Sequence, residues 1–212
     1  MTKHLLGLIV ATTLSVGLCG CESTTTFEQN DPADPAHYGE NDNPLGDEAP
    51  SVRTLHSAAR MCAARGQDSQ AELAYAQLIE RHPHYMPGYA ELSELYLRNE
   101  MAETAVAVLR TGLEAAPDDA LLHNNLGMCH LFEREYEAAL EQFTQAAALA
   151  PEDARSRANM AVALAMLGRM DEAYANYQLI VPEADARANM HLLSEVTGFA
   201  WEEPQGEVAV TR

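Results

Sequence analysis

The chain has 212 residues and is strongly acidic: 32 Asp and Glu against 13 Lys and Arg give a formal net charge of -19. Such a surface repels phosphate backbones and anionic lipid headgroups, which argues against nucleic acid as a partner. Hydrophobic residues make up 47% of the chain, enough to build a core, so the composition excludes wholesale disorder. Lys3 is the only lysine, so lysine-based covalent chemistry is excluded beyond the first few residues.

Residues 1–20 have the features of an export signal. Lys3 gives a positive start, and the apolar stretch at residues 5–18 is too short to cross a bilayer as a helix. The stretch ends in LCGC at residues 18–21, which resembles the bacterial lipobox, a leucine and two small residues before the cysteine that becomes acylated. The resemblance implies a signal peptide of residues 1–20 and a lipid on Cys21. Ordinary secretion with cleavage nearby is the alternative.

Residues 21–50 follow as an acidic tether. Residues 22–50 contain eight acidic residues and four prolines, with no Lys or Arg. A segment of this composition cannot bury enough apolar surface to fold, so we expect a flexible spacer of roughly 30 Å. Glu22 stands where Asp favours inner-membrane retention in well-studied Gram-negative bacteria. That resemblance implies attachment to the periplasmic face of the outer membrane, with the lipid as the only membrane contact.

From residue 51 onward the chain repeats with a period of 34 residues. The columns consist of alanines, of a large residue four positions later, and of prolines: Ala71, Ala105, Ala139 and Ala173; Tyr75, Leu109, Phe143 and Tyr177; Pro83, Pro117 and Pro151. A small residue recurs ahead of each alanine, at Ala59, Ser93, Gly127 and Ala161. Three columns in register predict helical hairpins whose small residues allow close helix contact.

This pattern resembles the tetratricopeptide repeat, and residues 120–153 are its clearest copy. The resemblance implies an all-α solenoid of four helical hairpins in a domain of residues 51–200. The repeats are expected at about residues 52–85, 86–119, 120–153 and 154–182. The turns inside the hairpins fit Gly66 and Gly168, whereas Glu100 and Arg134 are less typical residues for them.

The sequence after the fourth repeat echoes that repeat. ADARANMHLLSEV at residues 184–196 resembles RSRANMAVAL at residues 155–164, which predicts a capping helix over the last apolar face. Residues 201–212 are expected to be an irregular tail, with Trp201 packed on the cap. Cys62 and Cys129 lie on repeats separated by a whole repeat, so we expect two unbridged, buried thiols.

The resemblance also implies a binding groove, lined by the first helix of each hairpin, which we call the A helix. The predicted groove is charged in its first half and apolar in its second, and consists of Arg60, Glu94, Arg98, Asn124, Met128, Leu131, Phe132, Arg155, Val162 and Met166. A stripe of Met, Leu and Phe suits an apolar peptide or an amphipathic helix. Two alternatives stay open: Leu131, Phe132 and Met166 pack as core, or residues 208–210 of the chain fill the groove.

No motif points to catalysis, a cofactor or a metal. A phosphate-binding loop, a zinc-type CxxC pair and an HExxH motif are all missing from the sequence. Cys129 and His130 point about 100° apart on a helix, and His82 and His84 have no identifiable third and fourth metal ligands. Five acidic residues are interpreted as solvated helix-surface charges: Glu91, Glu94, Glu133, Glu135 and Glu137. A non-enzymatic protein without cofactor, metal or small-molecule substrate is therefore predicted.

Signal, tether and repeats together predict an adaptor or scaffold of the bacterial envelope that binds segments of partner proteins. By size and order of parts the chain resembles the tight-adherence (Flp-type) pilus assembly lipoprotein, which implies help in assembling a pilus or secretin-type complex. A scaffold for outer-membrane biogenesis or for cell-wall hydrolases is an alternative. An alternative of another class is a thiol- or metal-dependent enzyme that uses Cys129 and His130 or His82 and His84.

Overall fold

A computed structural model describes residues 50–203, and these residues form α-helices joined by short turns. The helices are α1 (Val52–Ala64), α2 (Asp68–Arg81), α3 (Met86–Arg98), α4 (Ala102–Ala115), α5 (Ala120–Phe132), α6 (Tyr136–Leu149), α7 (Ala154–Met166), α8 (Met170–Gln178) and α9 (Glu183–Thr197). Each helix packs on the next along the chain, so α1 to α8 form four stacked hairpins. The predicted all-α solenoid of four hairpins with a C-terminal helix is confirmed.

Several expectations fall outside the described residues. They are the signal peptide, the lipidation site Cys21, almost all of the tether, and the tail after Glu203. Among the residues that the structure does describe, no helix is both long enough and apolar enough to cross a bilayer.

Side-chain caps set the starts of three A helices. The Ser51 hydroxyl accepts from the Thr54 N–H at 3.2 Å, and the Asp119 carboxylate accepts from the Leu122 N–H at 2.9 Å. The Asp153 carboxylate accepts from the Arg155 N–H, also at 2.9 Å. Because the first N–H groups of a helix have no partner within it, these acceptors fix the residue at which each helix begins.

The turns inside the hairpins share one backbone feature, a left-handed residue just after the A helix. Gly66 and Gly168 adopt φ values of 70° and 77°, which confirms their predicted place in the turns. Glu100 and Arg134 adopt 60° and 66° at the equivalent positions of the second and third hairpins. A residue with a Cβ atom in this region carries a penalty on the order of 1 kcal/mol, so these two turns hold local strain.

The repeat columns form the core of the solenoid. All four alanines of the column are 0% exposed, and the large residues that follow them are at most 2% exposed. The closest approach is at Gly127, where an added Cβ atom would lie 2.6 Å from Cε1 of Phe143. Gly127 therefore lets α5 pack directly against the aromatic ring of α6.

The C-terminal helix closes the stack. α9 packs on α7 and α8 and buries Ala186, Met190 and Leu193. It ends at Thr197 and is capped by Gly198, whose left-handed φ of 77° turns the chain. Trp201 then packs on α9, as predicted, with its ring centre 5.2 Å from that of His191 and 5.1 Å from that of Tyr174 on α8.

We expect Gly127→Ala to lower the free energy of unfolding by about 1–3 kcal/mol, because the new methyl group overlaps the Phe143 ring. Urea unfolding followed by circular dichroism measures this loss. In a Phe143→Leu background the same substitution should cost less, because the smaller side chain leaves room. An equal loss in both backgrounds would show that the ring contact is not its cause.

Candidate functional site

The A helices lie side by side and build one face of the solenoid. α3 contacts α5, and α5 contacts α7, without a second helix between them. α1 joins α3 through side-chain hydrogen bonds. We call the surface formed by α1, α3, α5 and α7 the A-helix face, and the residues predicted for the groove belong to these helices.

At the first end of this face, the Glu91 carboxylate is the centre of a hydrogen-bond network. Its Oε2 atom lies 2.8 Å from His56 Nε2 and accepts from the Tyr75 hydroxyl at 2.9 Å. The other ring nitrogen of His56, Nδ1, lies 2.8 Å from the Tyr85 hydroxyl. Arg60 Nε lies 3.7 Å from Glu91 Oε1. The network joins the first two hairpins across the A-helix face.

The interpretation of Glu91 as a solvated surface charge was therefore wrong. Its side chain is only 27% exposed, and it occupies the same repeat column as Asn125 and Asn159, at intervals of 34 residues. That column faces the neighbouring A helix. The periodicity was visible in the sequence and could have placed Glu91 between helices.

The surroundings of Glu91 favour its ionised form. Burial alone would raise the pKa of this carboxyl, but the hydrogen bond and charge of His56 oppose burial, as do the Tyr75 hydroxyl and Arg60. Together they hold the pKa of Glu91 below its usual value of 4.5. The effect on Tyr75 is the opposite: burial and the hydrogen bond to Glu91 raise the pKa of its hydroxyl.

A pocket of about 200 Å³ opens beside this network. It brings together three of the residues predicted for the groove, Arg60, Glu94 and Arg98. Its remaining lining consists of Ala63, Tyr75, Glu91 and Leu95. Arg98 also reaches across to α2, where its Nη2 atom donates to Asp68 Oδ1 at 3.0 Å. The pocket is therefore polar and carries both signs of charge.

A chain of amide hydrogen bonds continues from the pocket along the A-helix face. Asn125 Nδ2 donates to Glu94 Oε1 at 3.3 Å and to the Ala90 carbonyl at 3.4 Å. Asn159 Nδ2 on α7 donates to Asn124 Oδ1 on α5 at 2.9 Å. Asn125 and Asn159 are 7% and 4% exposed, so they join neighbouring A helices from within. Asn124, predicted for the groove, is half-buried and shares in this chain.

In the second half of the face, two of the residues predicted for the groove do not reach the surface. Leu131 and Val162 are each 1% exposed and belong to the hydrophobic core around Phe143 and Tyr177. Their assignment to the groove was wrong, because residues at helical spacing also face the next helix of a stack. The alternative of core packing therefore holds for Leu131.

Met128 and Phe132 lie one helical turn apart on α5, and Met166 on α7 occupies the position of Phe132 one repeat later. All three are partly exposed, and we call them the apolar patch of the A-helix face. Met128 and Met166 rest on the same core that buries Leu131. Arg155 lies exposed at the start of α7, where its guanidinium binds the Asp153 carboxylate through Nε at 3.0 Å and Nη2 at 2.7 Å. Seven of the eight remaining groove candidates thus line either the pocket or the patch or bond to the amide chain, and Arg155 borders them.

Cys129 and His130, named above as possible catalytic residues, are held by packing and by a hydrogen bond within the fold. Cys129 is 1% exposed, and burial, followed by the charge of Glu133, raises the pKa of its thiol to about 12. A thiol that stays protonated is a poor nucleophile. His130 Nδ1 is 2.7 Å from Glu135 Oε2 at the turn after α5. Within residues 50–203, no group of three or more His, Cys, Asp or Glu is placed to hold a metal ion.

Comparison with known proteins assigns the third hairpin to a repeat family. Residues 120–153 match the family model of the tetratricopeptide repeat. The hairpins share the fold of a tetratricopeptide solenoid, and proteins built from such repeats generally act as protein–protein interaction scaffolds.

Solved structures share this fold over most of the described residues. TTC0263, a thermophilic TPR protein of Thermus thermophilus, is 27% identical, with a TM-score of 0.58 over 67% of this chain and 80% of that chain. MamA protein is 18% identical, with a TM-score of 0.57 over 70% and 83%. YrrB, described as a TPR protein with an unusual peptide-binding site, is 20% identical, with a TM-score of 0.54 over 69% and 78%.

Two human proteins are similar over part of the chain. Superkiller complex protein 3 of Homo sapiens is 36% identical over 90 residues, which are 42% of this chain and 6% of that protein. Anaphase-promoting complex subunit 7 of Homo sapiens is 30% identical over 91 residues, which are 43% and 16% of the two chains. The chain thus matches only a small part of the length of these relatives.

We expect Glu91→Gln to lower the free energy of unfolding by about 1–3 kcal/mol at pH 7, because it weakens a partly buried, charge-assisted network. The folded-state pKa of Glu91 lies below 4.5, so the ionised carboxylate stabilises the native state above that value. This contribution is lost as the pH falls through the folded-state pKa.

Urea unfolding of both proteins from pH 7 to pH 3 measures the effect. The difference between them should shrink below about pH 4.5. Glu114→Gln, which alters an exposed carboxylate of α4, is the control and should change stability little at any pH. A difference that stays constant across the range would contradict a role for the charge of Glu91.

Proposed function

We propose that the chain is an envelope adaptor that binds segments of partner proteins on its A-helix face and assists assembly of a pilus or secretin-type complex. The observation that carries the proposal is the apolar patch of Met128, Phe132 and Met166, which continues a polar pocket on the same face. An apolar area beside placed polar groups is the usual make-up of a peptide-binding groove.

The chemistry of the patch suits partner segments with irregular apolar faces. Two of its three residues are methionines, whose flexible and polarisable side chains adapt to different shapes. Met128 and Met166 pack on a buried layer that includes Leu131 and Val162, which supports the patch from below. A partner side chain on the patch would gain about 25 cal/mol for each Å² of apolar surface removed from water.

The proposed location rests on the sequence of the first 50 residues. The LCGC motif supports a lipid on Cys21, and Glu22 supports the periplasmic face of the outer membrane. An acidic tether of residues 21–50 would hold the solenoid away from anionic headgroups, which the charge of the chain disfavours. The A-helix face would then lie in the periplasm.

We expect Met128→Glu/Phe132→Glu to abolish capture of the partner, because two carboxylates in the patch oppose burial of an apolar segment. The tagged full-length chain and its variant are purified from solubilised envelopes, and bound proteins are identified by mass spectrometry. A pilus or secretin component should be recovered with the parent chain and lost with the variant. Recovery of cell-wall hydrolases or outer-membrane assembly proteins would favour the alternative scaffold.

A matched control makes the same chemical change away from the A-helix face. Leu73 on α2 and Leu179 after α8 are 66% and 68% exposed, so Leu73→Glu/Leu179→Glu adds two carboxylates to exposed apolar positions elsewhere. This control should capture the same partners as the parent chain, and circular dichroism should show equal helix content in all three. Equal capture by both variants would refute the A-helix face as the binding surface.

We expect Cys21→Ala to release the chain from membranes, because the acylated thiol is the proposed anchor. Labelling with radioactive palmitate and separation of membrane from soluble fractions measure both consequences. Cys62→Ala is the control, since Cys62 lies on α1 and should not affect either result. Undiminished palmitate in the Cys21→Ala chain would exclude this cysteine as the acylated residue.

A further inference from the structure

Glu94 differs from Glu91, the other acidic residue that lines the pocket. Glu91 is met by His56, Tyr75 and Arg60, whereas the hydrogen bond described for Glu94 comes from a neutral amide, that of Asn125. Among residues 50–203, no Lys, Arg or His makes an ion pair with Glu94. Its carboxylate therefore lies on the A-helix face without a countercharge in direct contact.

Arg98 and Arg155 act on Glu94 through their charge, but each of them binds a different carboxylate. Arg98 Nη2 donates to Asp68, and the Arg155 guanidinium binds Asp153 through two nitrogens. Both arginines lower the pKa of Glu94 only by their distant charge. Desolvation beside the pocket, followed by repulsion from Glu91, outweighs that help and raises the pKa of this carboxyl, although the Glu94 residue as a whole is exposed and accessible to a ligand. A cation that reached Glu94 would thus remove an unfavourable interaction.

We propose that Glu94 receives a Lys or Arg side chain of the partner segment, while apolar residues of the same segment cover Met128, Phe132 and Met166. This inference rests on the proposed function and specifies the chemistry of the partner. The net charge of -19 favours a cationic partner as well, because it attracts such a segment at long range and repels acidic ones.

The stacking of the helices sets the spacing of the partner's residues. Glu94 lies on α3, Met128 and Phe132 on α5, and Met166 on α7. Neighbouring packed helices are about 8–10 Å apart, so the apolar contacts should begin about 10 Å from the cation and extend to about 20 Å. In an extended segment, at about 3.3 Å per residue, this distance is covered by roughly three to six residues.

The first test is a selection from a random 16-residue peptide library on phage, with the full-length chain as bait. Peptides that bind the parent chain should share one Lys or Arg position next to an apolar cluster. Glu94→Gln should retain the apolar cluster but lose the cationic position, since Gln keeps the size and the hydrogen bond to Asn125 without the charge. Glu141→Gln, an exposed carboxylate on α6, is the matched control and should select the same peptides as the parent.

The second test is a double-mutant cycle with one selected peptide, made with its Lys and with neutral norleucine in its place. Fluorescence anisotropy should show about tenfold weaker binding of the norleucine peptide to the parent chain, and less than about twofold weaker binding to Glu94→Gln. Such coupling assigns the cation to Glu94 directly. Loss of affinity to the same extent on both chains would overturn the inference.

The selections separate this inference from the proposed function. Peptides whose binding requires Met128 and Phe132, but which share no Lys or Arg position, would overturn the role of Glu94 and leave the proposed groove unaffected. Failure of the parent chain to enrich any peptide would overturn both. A cationic position that disappears with Glu94→Gln and persists with Glu141→Gln supports both.

Discussion

The solenoid depends on how closely the helices of each hairpin can approach, and that distance is set where a small residue faces a large one. At Gly127 the approach is so close that a single methyl group would overlap the Phe143 ring, and the equivalent Ala59, Ser93 and Ala161 keep the same position small. Because every hairpin has this crossing, the hairpins stack with their A helices on one side. The A-helix face, its pocket and its apolar patch all follow from that packing.

Hydrogen bonds between polar side chains fix the alignment of A helices that apolar packing holds together. Apolar contacts are non-directional, so they hold helices together without fixing how one A helix lies along the next. Hydrogen bonds supply that direction: Glu91 meets His56 between the first two hairpins, and Asn159 meets Asn124 between the last two. These contacts recur in one column of the repeat, so a single sequence position serves every junction. The same column places Asn125 against Glu94, which ties the alignment of the helices to the electrostatics of the pocket.

The sequence was most informative where a position repeats. The four hairpins, the burial of the alanine column and the turn positions of Gly66 and Gly168 followed from a period of 34 residues, and the capping helix from the echo of the fourth repeat. Individual surface residues were harder to assign, because helical spacing does not distinguish a side chain facing solvent from one facing the next helix. Leu131 and Val162 were assigned to the groove and lie in the core, while Glu91 was assigned to solvent and lies in a network. Which arginine meets which carboxylate depends on side-chain reach, which no periodicity encodes.

The way the stack closes sets the length of its A-helix face. α9 takes the place of a fifth A helix, and the chain then turns at Gly198 so that Trp201 packs between Tyr174 and His191, where another hairpin would otherwise add its own large residue. Within the described residues, this end of the stack is therefore covered by α9 and Trp201. Four A helices at about 10 Å each give a face roughly 40 Å long. A face of this length matches one extended segment of about a dozen residues.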